Sequence, residues 1–257
     1  MKILFEKYQG TGNDFIMIDN RGLYFPKETA LIARLCHRRF GIGADGLILL
    51  ESTPEADFRM IYYNADGKEG SMCGNGGRCV VSFAKSLGLF EKETRFLAVD
   101  GLHEAFFKEG LVHLKMKEVS KIEKNTEGYY FLDTGSPHYV EFVQDVEQMN
   151  VFEKGRAIRY NQRFGEKGTN VNFVEILGEN LLRVRTYERG VEAETYSCGT
   201  GVTASAIVYA LQKPTQTVQI KTLGGDLWVN FKEKNGNFYD IFLAGKAEKV
   251  FEGQIET

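Results

Sequence analysis

Cys73-Gly74-Asn75-Gly76 and Cys198-Gly199-Thr200-Gly201 are two copies of one loop, 125 residues apart in a chain of 257. Each puts a cysteine directly before a stretch of small residues almost free of charge. Val202–Gln212 holds no charged residue, and Gly74–Ala84 holds only Arg78. A helix that is apolar all round must be surrounded by protein. Each loop therefore predicts a buried helix that begins at its cysteine.

Other segments repeat at nearly the same offset. Thr11-Gly12 matches Thr134-Gly135, and Gly41–Leu50 pairs loosely with Gly168–Leu177. The alternating run Asp57–Tyr63 matches Leu182–Tyr187, and Asn64-Ala65-Asp66-Gly67 stands before Cys73 as Glu188-Arg189-Gly190 stands before Cys198. Offsets confined to 123–127 over four segments imply two homologous halves. Short alternating segments bounded by Gly, Asn and Asp predict antiparallel strands, among them Phe15–Asp19, Leu47–Leu50, Leu111–Met116, Phe173–Leu177, Val218–Thr222 and Phe238–Leu243. A surface helix is expected after Pro26, with Leu31, Ile32, Leu35 and Cys36 at helical spacing. The fold class is α/β (α+β): two pseudo-symmetric domains, each a curved, mainly antiparallel sheet wrapped around a central helix. The charge-rich stretch 115–128 is the expected boundary, giving domains 1–116 and 117–243.

Composition narrows the function classes. Hydrophobic residues at 43% and charged residues at 26% suit a globular core. A net charge of −3 gives no basic footprint for nucleic acid or an anionic membrane. No apolar run reaches membrane-spanning length, and Met1–Lys7 lacks a signal-peptide apolar region, so a cytoplasmic location is expected. There the four cysteines are expected to be thiols, and their spacing fits no zinc site. Gly41-Ile42-Gly43-Ala44-Asp45-Gly46 matches a dinucleotide fingerprint literally, but it enters a strand rather than a helix. No Walker A sequence occurs. No cofactor and no metal are expected.

A thiol at a helix start meets positive potential and unbonded backbone N–H groups, which favour thiolate. Two such thiols at one carbon could take a proton from one side and return it on the other. That is the requirement of a cofactor-free racemase or epimerase, and it selects Cys73 and Cys198 as acid and base. The same helix starts could hold a carboxylate while α-carbon charge develops. Cys36 and Cys79 sit on apolar helix faces and read as small buried hydrophobes. Asn13, Asn64, Asn75 and Asn170 lie in turns, where asparagine often serves local geometry. Arg189 could fork onto a carboxylate. His138 on its own reads as structural.

Gly10-Thr11-Gly12-Asn13-Asp14-Phe15, Asn64-Ala65-Asp66-Gly67, Met72-Cys73-Gly74-Asn75-Gly76-Gly77-Arg78-Cys79 and Glu188-Arg189-Gly190 with Cys198-Gly199-Thr200-Gly201 resemble diaminopimelate epimerases, over nearly the whole chain and in order. The resemblance implies interconversion of LL- and meso-2,6-diaminopimelate, without pyridoxal phosphate or metal, in lysine and peptidoglycan precursor synthesis. It implies a diaminopimelate epimerase-like fold with the site in the cleft between the domains and with 244–257 returning to the first. It carries the acid–base pair onto Cys73 and Cys198. Gly74, Asn75, Gly199 and Thr200 would hold the carboxylate at the reacting end. Asn13, Asn64, Asn170, Glu188 and Arg189 would bind the amino groups and distal carboxylate. His138 matches the family's GNPH turn and would lie near the site. Ser136 stands where that turn has Asn, Gly46 where some members have Gln, and loop 190–197 is one residue longer than common. A homodimer is left open.

Four other readings stand beside this one. Proline racemases usually carry a His where this chain has Asn75. Phenazine-type isomerases generally lack the cysteine pair. A thiol redox switch or a pure binder would not exchange an α-proton.

Overall fold

The computed structural model describes residues 2–256. The chain divides into two compact units, one running up to Leu114 and resuming at Gly245, the other Lys115–Ala244. In chain order the first contains β1 (Lys2–Gly10), β2 (Asn13–Asp19), α1 (Thr29–Cys36), β3 (Gly46–Glu51), β4 (Phe58–Asn64), α2 (Gly74–Ser86), β5 (Glu93–Ala98), β6 (Gly101–Lys108) and β7 (Leu111–Lys115). The second contains β8 (Ile122–Lys124), β9 (Tyr130–Asp133), β10 (Pro137–Phe142), α3 (Val151–Arg159), β11 (Asn170–Gly178), β12 (Leu181–Glu188), β13 (Ala193–Thr195), α4 (Gly199–Gln212), β14 (Thr217–Thr222), β15 (Gly225–Lys234) and β16 (Asn237–Gly245). The last strand, β17 (Glu248–Glu256), pairs antiparallel with β1 of the first unit.

The units repeat one plan. α2 and α4 begin 125 residues apart, and α1 and α3 begin 122 apart. In the first, α2 packs against β17, β1, β2, β3 and β4, which are successive in the sheet, so the sheet wraps around the helix. In the second, α4 packs against β9, β10, β11, β12, β14 and β15 in the same way. β17 plays beside β1 the part that β8 plays beside β9.

Most pairs are antiparallel, as the alternating segments predict. Parallel pairs occur where a helix crosses over: β2 with β3 around α1, β4 with β5 around α2, β10 with β11 around α3, and β12 with β14 around α4. A parallel return cannot be made by a tight turn, so a crossover element must fill it.

Strands covered on both faces are buried along their length. β3 is buried at every position. Leu47 and Leu49 face α1 with Ile16, Ile18, Ile32 and Leu35. Ile48 faces the other way and, with Met60 and Phe15, would touch a Cβ placed on Gly76 of α2. Ile32 and Leu35 of α1 are fully buried, each contributing about 1.5–3 kcal/mol of transfer free energy. α3 covers the equivalent outer face of the second unit. Val151 joins Val171, Phe173 and Tyr187, and Gly155 lets the helix close on Tyr187, because a Cβ there would lie 2.3 Å from the Tyr187 Cβ. Asn150 caps this helix by accepting from the Glu153 N–H at 3.2 Å.

Inside α4, Thr203 Oγ1 donates to the Gly199 carbonyl at 2.9 Å and Ser205 Oγ to the Gly201 carbonyl at 2.8 Å. The helix therefore buries its polar side chains with partners already made. Among the described residues no helix is long and apolar enough to cross a membrane.

Candidate active site

Cys73 is the N-cap of α2 and Cys198 the N-cap of α4, both with extended backbone. Neither helix start receives a side-chain capping bond, unlike α3. The first helical bonds run from the Gly77 N–H to the Cys73 carbonyl at 2.7 Å and from the Val202 N–H to the Cys198 carbonyl at 2.9 Å. The N–H groups of residues 74–76 and 199–201 lie ahead of those bonds, at the positive end of each helix. A helix start of this kind can accept an anion, and each of these has a cysteine at its N-cap. Cys36 and Cys79 have no such setting. Both are buried thiols, and burial pushes each up to about 12.

In the first unit Asn13 is the hub. Its Oδ1 accepts from Cys73 Sγ at 3.6 Å and from Asn75 Nδ2 at 3.4 Å. Its Nδ2 donates to Asp45 Oδ2 at 2.6 Å, which fixes which end of the amide faces the thiol. Arg38 bridges Asp45 and Asp14 at 2.8 and 2.7 Å, and Lys7 pairs with Asp14. Burial would raise the Asp14 carboxyl, but the bonds from Arg38 and Lys7 outweigh it and hold it well below the usual range. Asn13 thus stands beside a cluster of linked charges, Lys7, Asp14, Arg38 and Asp45. Asn64 closes β4 at an exposed position, and its amide lies against Gly70.

In the second unit the first turn of α4 is tied to the 133–137 turn. Thr134 Oγ1 donates to the Thr200 carbonyl at 2.8 Å, and Thr200 Oγ1 lies 3.5 Å from Cys198 Sγ. Asn170 is buried and bridges two backbones: its Nδ2 donates to the Pro137 carbonyl at 3.1 Å and its Oδ1 accepts from the Arg189 N–H at 2.9 Å. The Arg189 guanidinium donates to the Lys167 carbonyl at 3.2 Å and to Ser136 Oγ at 3.5 Å. It has no carboxylate partner among the described residues. Glu188, beside it, accepts from Thr195 Oγ1 at 2.9 Å, and burial raises its carboxyl against that bond.

His138 lies on β10, fully buried. Asn172 Nδ2 donates to its Nδ1 at 3.1 Å and to the Tyr139 carbonyl at 2.9 Å, while Thr186 Oγ1 donates to Asn172 Oδ1 at 2.9 Å. The ring is therefore the neutral Nε2–H tautomer. Asn172 in turn touches the first turn of α4, since a Cβ on Gly201 would lie 2.3 Å from its Oδ1. Sequence reasoning does not single out Asn172, Thr186, Thr134 or Arg78 as site residues. The one signal for them is a polar residue inside a strand or helix that otherwise reads as buried.

Burial, with Arg189 acting the same way and Asp133 opposing, pulls His138 down to about 3. An unfolded histidine titrates near ~6.5. Below that pH the unfolded chain takes up a proton that the folded chain refuses, so acid erodes stability. Wild type should lose about 2 kcal/mol more between pH 7 and pH 5 than His138→Gln, measured by denaturant titration. Equal losses would mean that the native ring takes up its proton over the same pH range as the unfolded one.

The family model described as Diaminopimelate epimerase matches residues 5–121 and again 130–250, once over each half. A diaminopimelate epimerase of Flavobacterium psychrophilum is 52% identical over 253 residues, covering 97% of this chain and 98% of that protein. One of Chlorobaculum tepidum is 44% identical over 256 residues, covering 96% and 98%. Among solved structures, a PhzF-family phenazine biosynthesis protein of Bacillus anthracis superposes with a TM-score of 0.77 at 15% identity, covering all of both chains. A hydroxyproline epimerase of Agrobacterium vitis superposes with a TM-score of 0.70 at 16% identity, covering 99% of this chain and 92% of that one. Those two establish the fold, two similar halves each with a helix inside a curved sheet. The full-length identities go further: the chain belongs to the diaminopimelate epimerase family, a family of isomerases.

Proposed function

We propose that this chain interconverts LL- and meso-2,6-diaminopimelate by a two-cysteine, two-base reaction that uses neither pyridoxal phosphate nor metal. The observation that carries the reading is the matched pair of uncapped helix starts with Cys73 and Cys198 at their N-caps. One cysteine is a thiolate and takes the α-proton, becoming a thiol. The electron pair of the C–H bond moves into the α-carbon and its carboxylate. The other cysteine, a thiol, delivers its proton to the opposite face and becomes the thiolate. The centre is inverted, no redox change occurs, and the two sulfurs exchange protonation states.

The carboxylate at the reacting end is assigned to the helix starts, through the backbone at Gly74, Asn75, Gly199 and Thr200 and the side chains of Asn75 and Thr200. Preorganised donors there lower the barrier where charge develops. Asn13, Asn64, Asn170 and Glu188 are assigned to the substrate's amino groups and far end. Asn170 has one amide proton left for substrate, its other contacts being to backbone. Arg189, a half-buried cation without an acid partner among the described residues, is assigned to the distal carboxylate. His138 acts through Asn172, as support for the Cys198 loop. Such an enzyme serves lysine and peptidoglycan precursor synthesis, consistent with a cytoplasmic location and a small-molecule substrate.

The test is incubation of LL-diaminopimelate in deuterium oxide, beside L-proline. Deuterium should enter the α-carbon of diaminopimelate only, as meso isomer forms. No exchange, or equal exchange with proline, rejects the reading. Arg189→Ala should raise KM about 10- to 100-fold, the value of one charged hydrogen-bonded contact, with kcat changed only a few-fold. An unchanged substrate affinity by titration removes that role.

A further inference from the structure

In the matched stretches 74–84 and 199–209 of the two central helices Arg78 is the one charged residue, and it is fully buried. Its Nη2 donates to Thr11 Oγ1 at 2.9 Å and to Asn75 Oδ1 at 3.0 Å, and its Nη1 to the Gly74 carbonyl at 3.4 Å. Its Nε has no partner. No carboxylate touches it among the described residues. Its equivalent at the 125-residue offset is Thr203, whose hydroxyl bonds the Gly199 carbonyl as Arg78 bonds that of Gly74. The pseudo-symmetry thus exchanges a neutral hydroxyl for a cation at one position.

That position is an adverse one for a cation. Burying an ion without a counter-ion costs several kcal/mol, and a positive charge near a helix N-terminus adds repulsion from the helix dipole. A hydroxyl there closes the same backbone bond without either penalty, as Thr203 demonstrates. The charge gains a function only if an anion forms at the Cys73 end.

The other ionic groups around that end are already engaged. Asp45 is held by Arg38 and Asn13, Asp14 by Arg38 and Lys7, and the Cys79 thiol stays neutral. Around the Cys198 loop, His138 is neutral and Arg189 lies against the Ser136 turn.

We propose that Arg78 is a positioning residue that makes the two cysteine loops unequal: it aims the Asn75 amide at Asn13 and, by its charge, makes Cys73 the thiol that ionises first. Arg78 takes the Asn75 Oδ1, which leaves Nδ2 to reach the same Asn13 oxygen that receives the thiol. The inference rests on the two-cysteine reading, but its deciding test, the titration of each thiol, uses no substrate and no turnover. Failure of deuterium exchange rejects the reaction, whereas the following experiment judges Arg78 alone.

Each thiol is titrated by itself, Cys73 in Cys198→Ser and Cys198 in Cys73→Ser, which removes their mutual coupling. The rate of iodoacetamide alkylation is followed against pH, and each labelled cysteine is quantified by mass spectrometry. Cys73 should show a midpoint at least about one pH unit below that of Cys198. Adding Arg78→Gln should raise the Cys73 midpoint by about a unit or more. Adding Arg78→Lys should retain most of the gap, because it keeps the charge and loses the fork. In otherwise native enzyme, Arg78→Lys should lower kcat more than it raises KM. Coincident midpoints, a lower midpoint at Cys198, or an Arg78→Lys midpoint as high as that of Cys198 overturns the proposal. If Arg78→Gln does not fold, the single-thiol midpoints and the lysine variant still decide it.

Discussion

Cys73→Ala and Cys198→Ala are each expected to lose epimerisation by about 1,000-fold or more while the protein keeps its fold. A positioned general acid or base contributes about 10²- to 10⁴-fold, and here each sulfur serves as one or the other in every turnover. Stability should hardly move, because neither cysteine side chain caps its helix and each change removes a single sulfur. Cys73 is half-buried and Cys198 buried, so losing one sulfur should cost no more than about 1–2 kcal/mol. Cys36→Ala and Cys79→Ala supply the contrast. Their thiols are pushed up to about 12 and cannot act as bases at neutral pH, so turnover should remain near native, with the penalty appearing in thermal stability instead. The measurements are isomer ratio over time and a melting curve for each variant. Near-native interconversion by either N-cap variant would refute the acid–base assignment.

The second large effect is expected at Gly201. An alanine methyl there would sit 2.3 Å from Asn172 Oδ1 and 3.3 Å from the Cys198 Cβ. Asn172 cannot swing aside without releasing the Tyr139 carbonyl, the His138 ring and the Thr186 hydroxyl, all buried. Either α4 lifts from β11 or that network breaks. Overpacking of a core costs about 1–3 kcal/mol, and a buried polar group left unsatisfied costs a similar amount. Gly201→Ala should therefore lose about 3 kcal/mol, a fall in Tm of about 10 °C. Activity should fall by about 100-fold, since a 1 Å misplacement of a reacting group has that effect. Adding Asn172→Ser shortens the obstructing side chain and should restore part of the Tm, so the double variant is more stable than the sum of the singles. A Tm within about 2 °C of the parent, with activity intact, would show that the helix yields freely at this contact.

Much of the fold is legible in the chain. The two CGxG loops announce α2 and α4, because a run of small, uncharged residues after a cysteine can be helical only where protein surrounds it. Leu31, Ile32, Leu35 and Cys36 announce α1 by their spacing. The nearly constant offset announces the repeat. α3 escapes sequence reasoning because its buried face is Val151, Gly155 and Arg159, two of which carry no apolar signal. Gly155 is there to admit Tyr187, a partner visible only in three dimensions. The parallel pairs escape it because alternation describes one strand's faces and says nothing about its neighbour's direction. The polar groups beneath the cysteine loops escape it for a related reason. Arg78 finds Thr11 across 67 residues and Asn172 finds His138 across 34, so no local pattern marks either.

The pairing of β1 with β17 joins Lys2 to Glu256. A ribosome therefore releases every strand of the second unit before it releases the partner that completes the first. The later-encoded unit can mature as a continuous piece, while the earlier-encoded one waits with the edge of β1 open. An open edge is a template for wrong partners, and so distant a pairing is slow to form. The exposure of nascent chains to misassembly is thus concentrated in the segment that was made first, and chaperone demand should track the delay before the codons for β17 are translated.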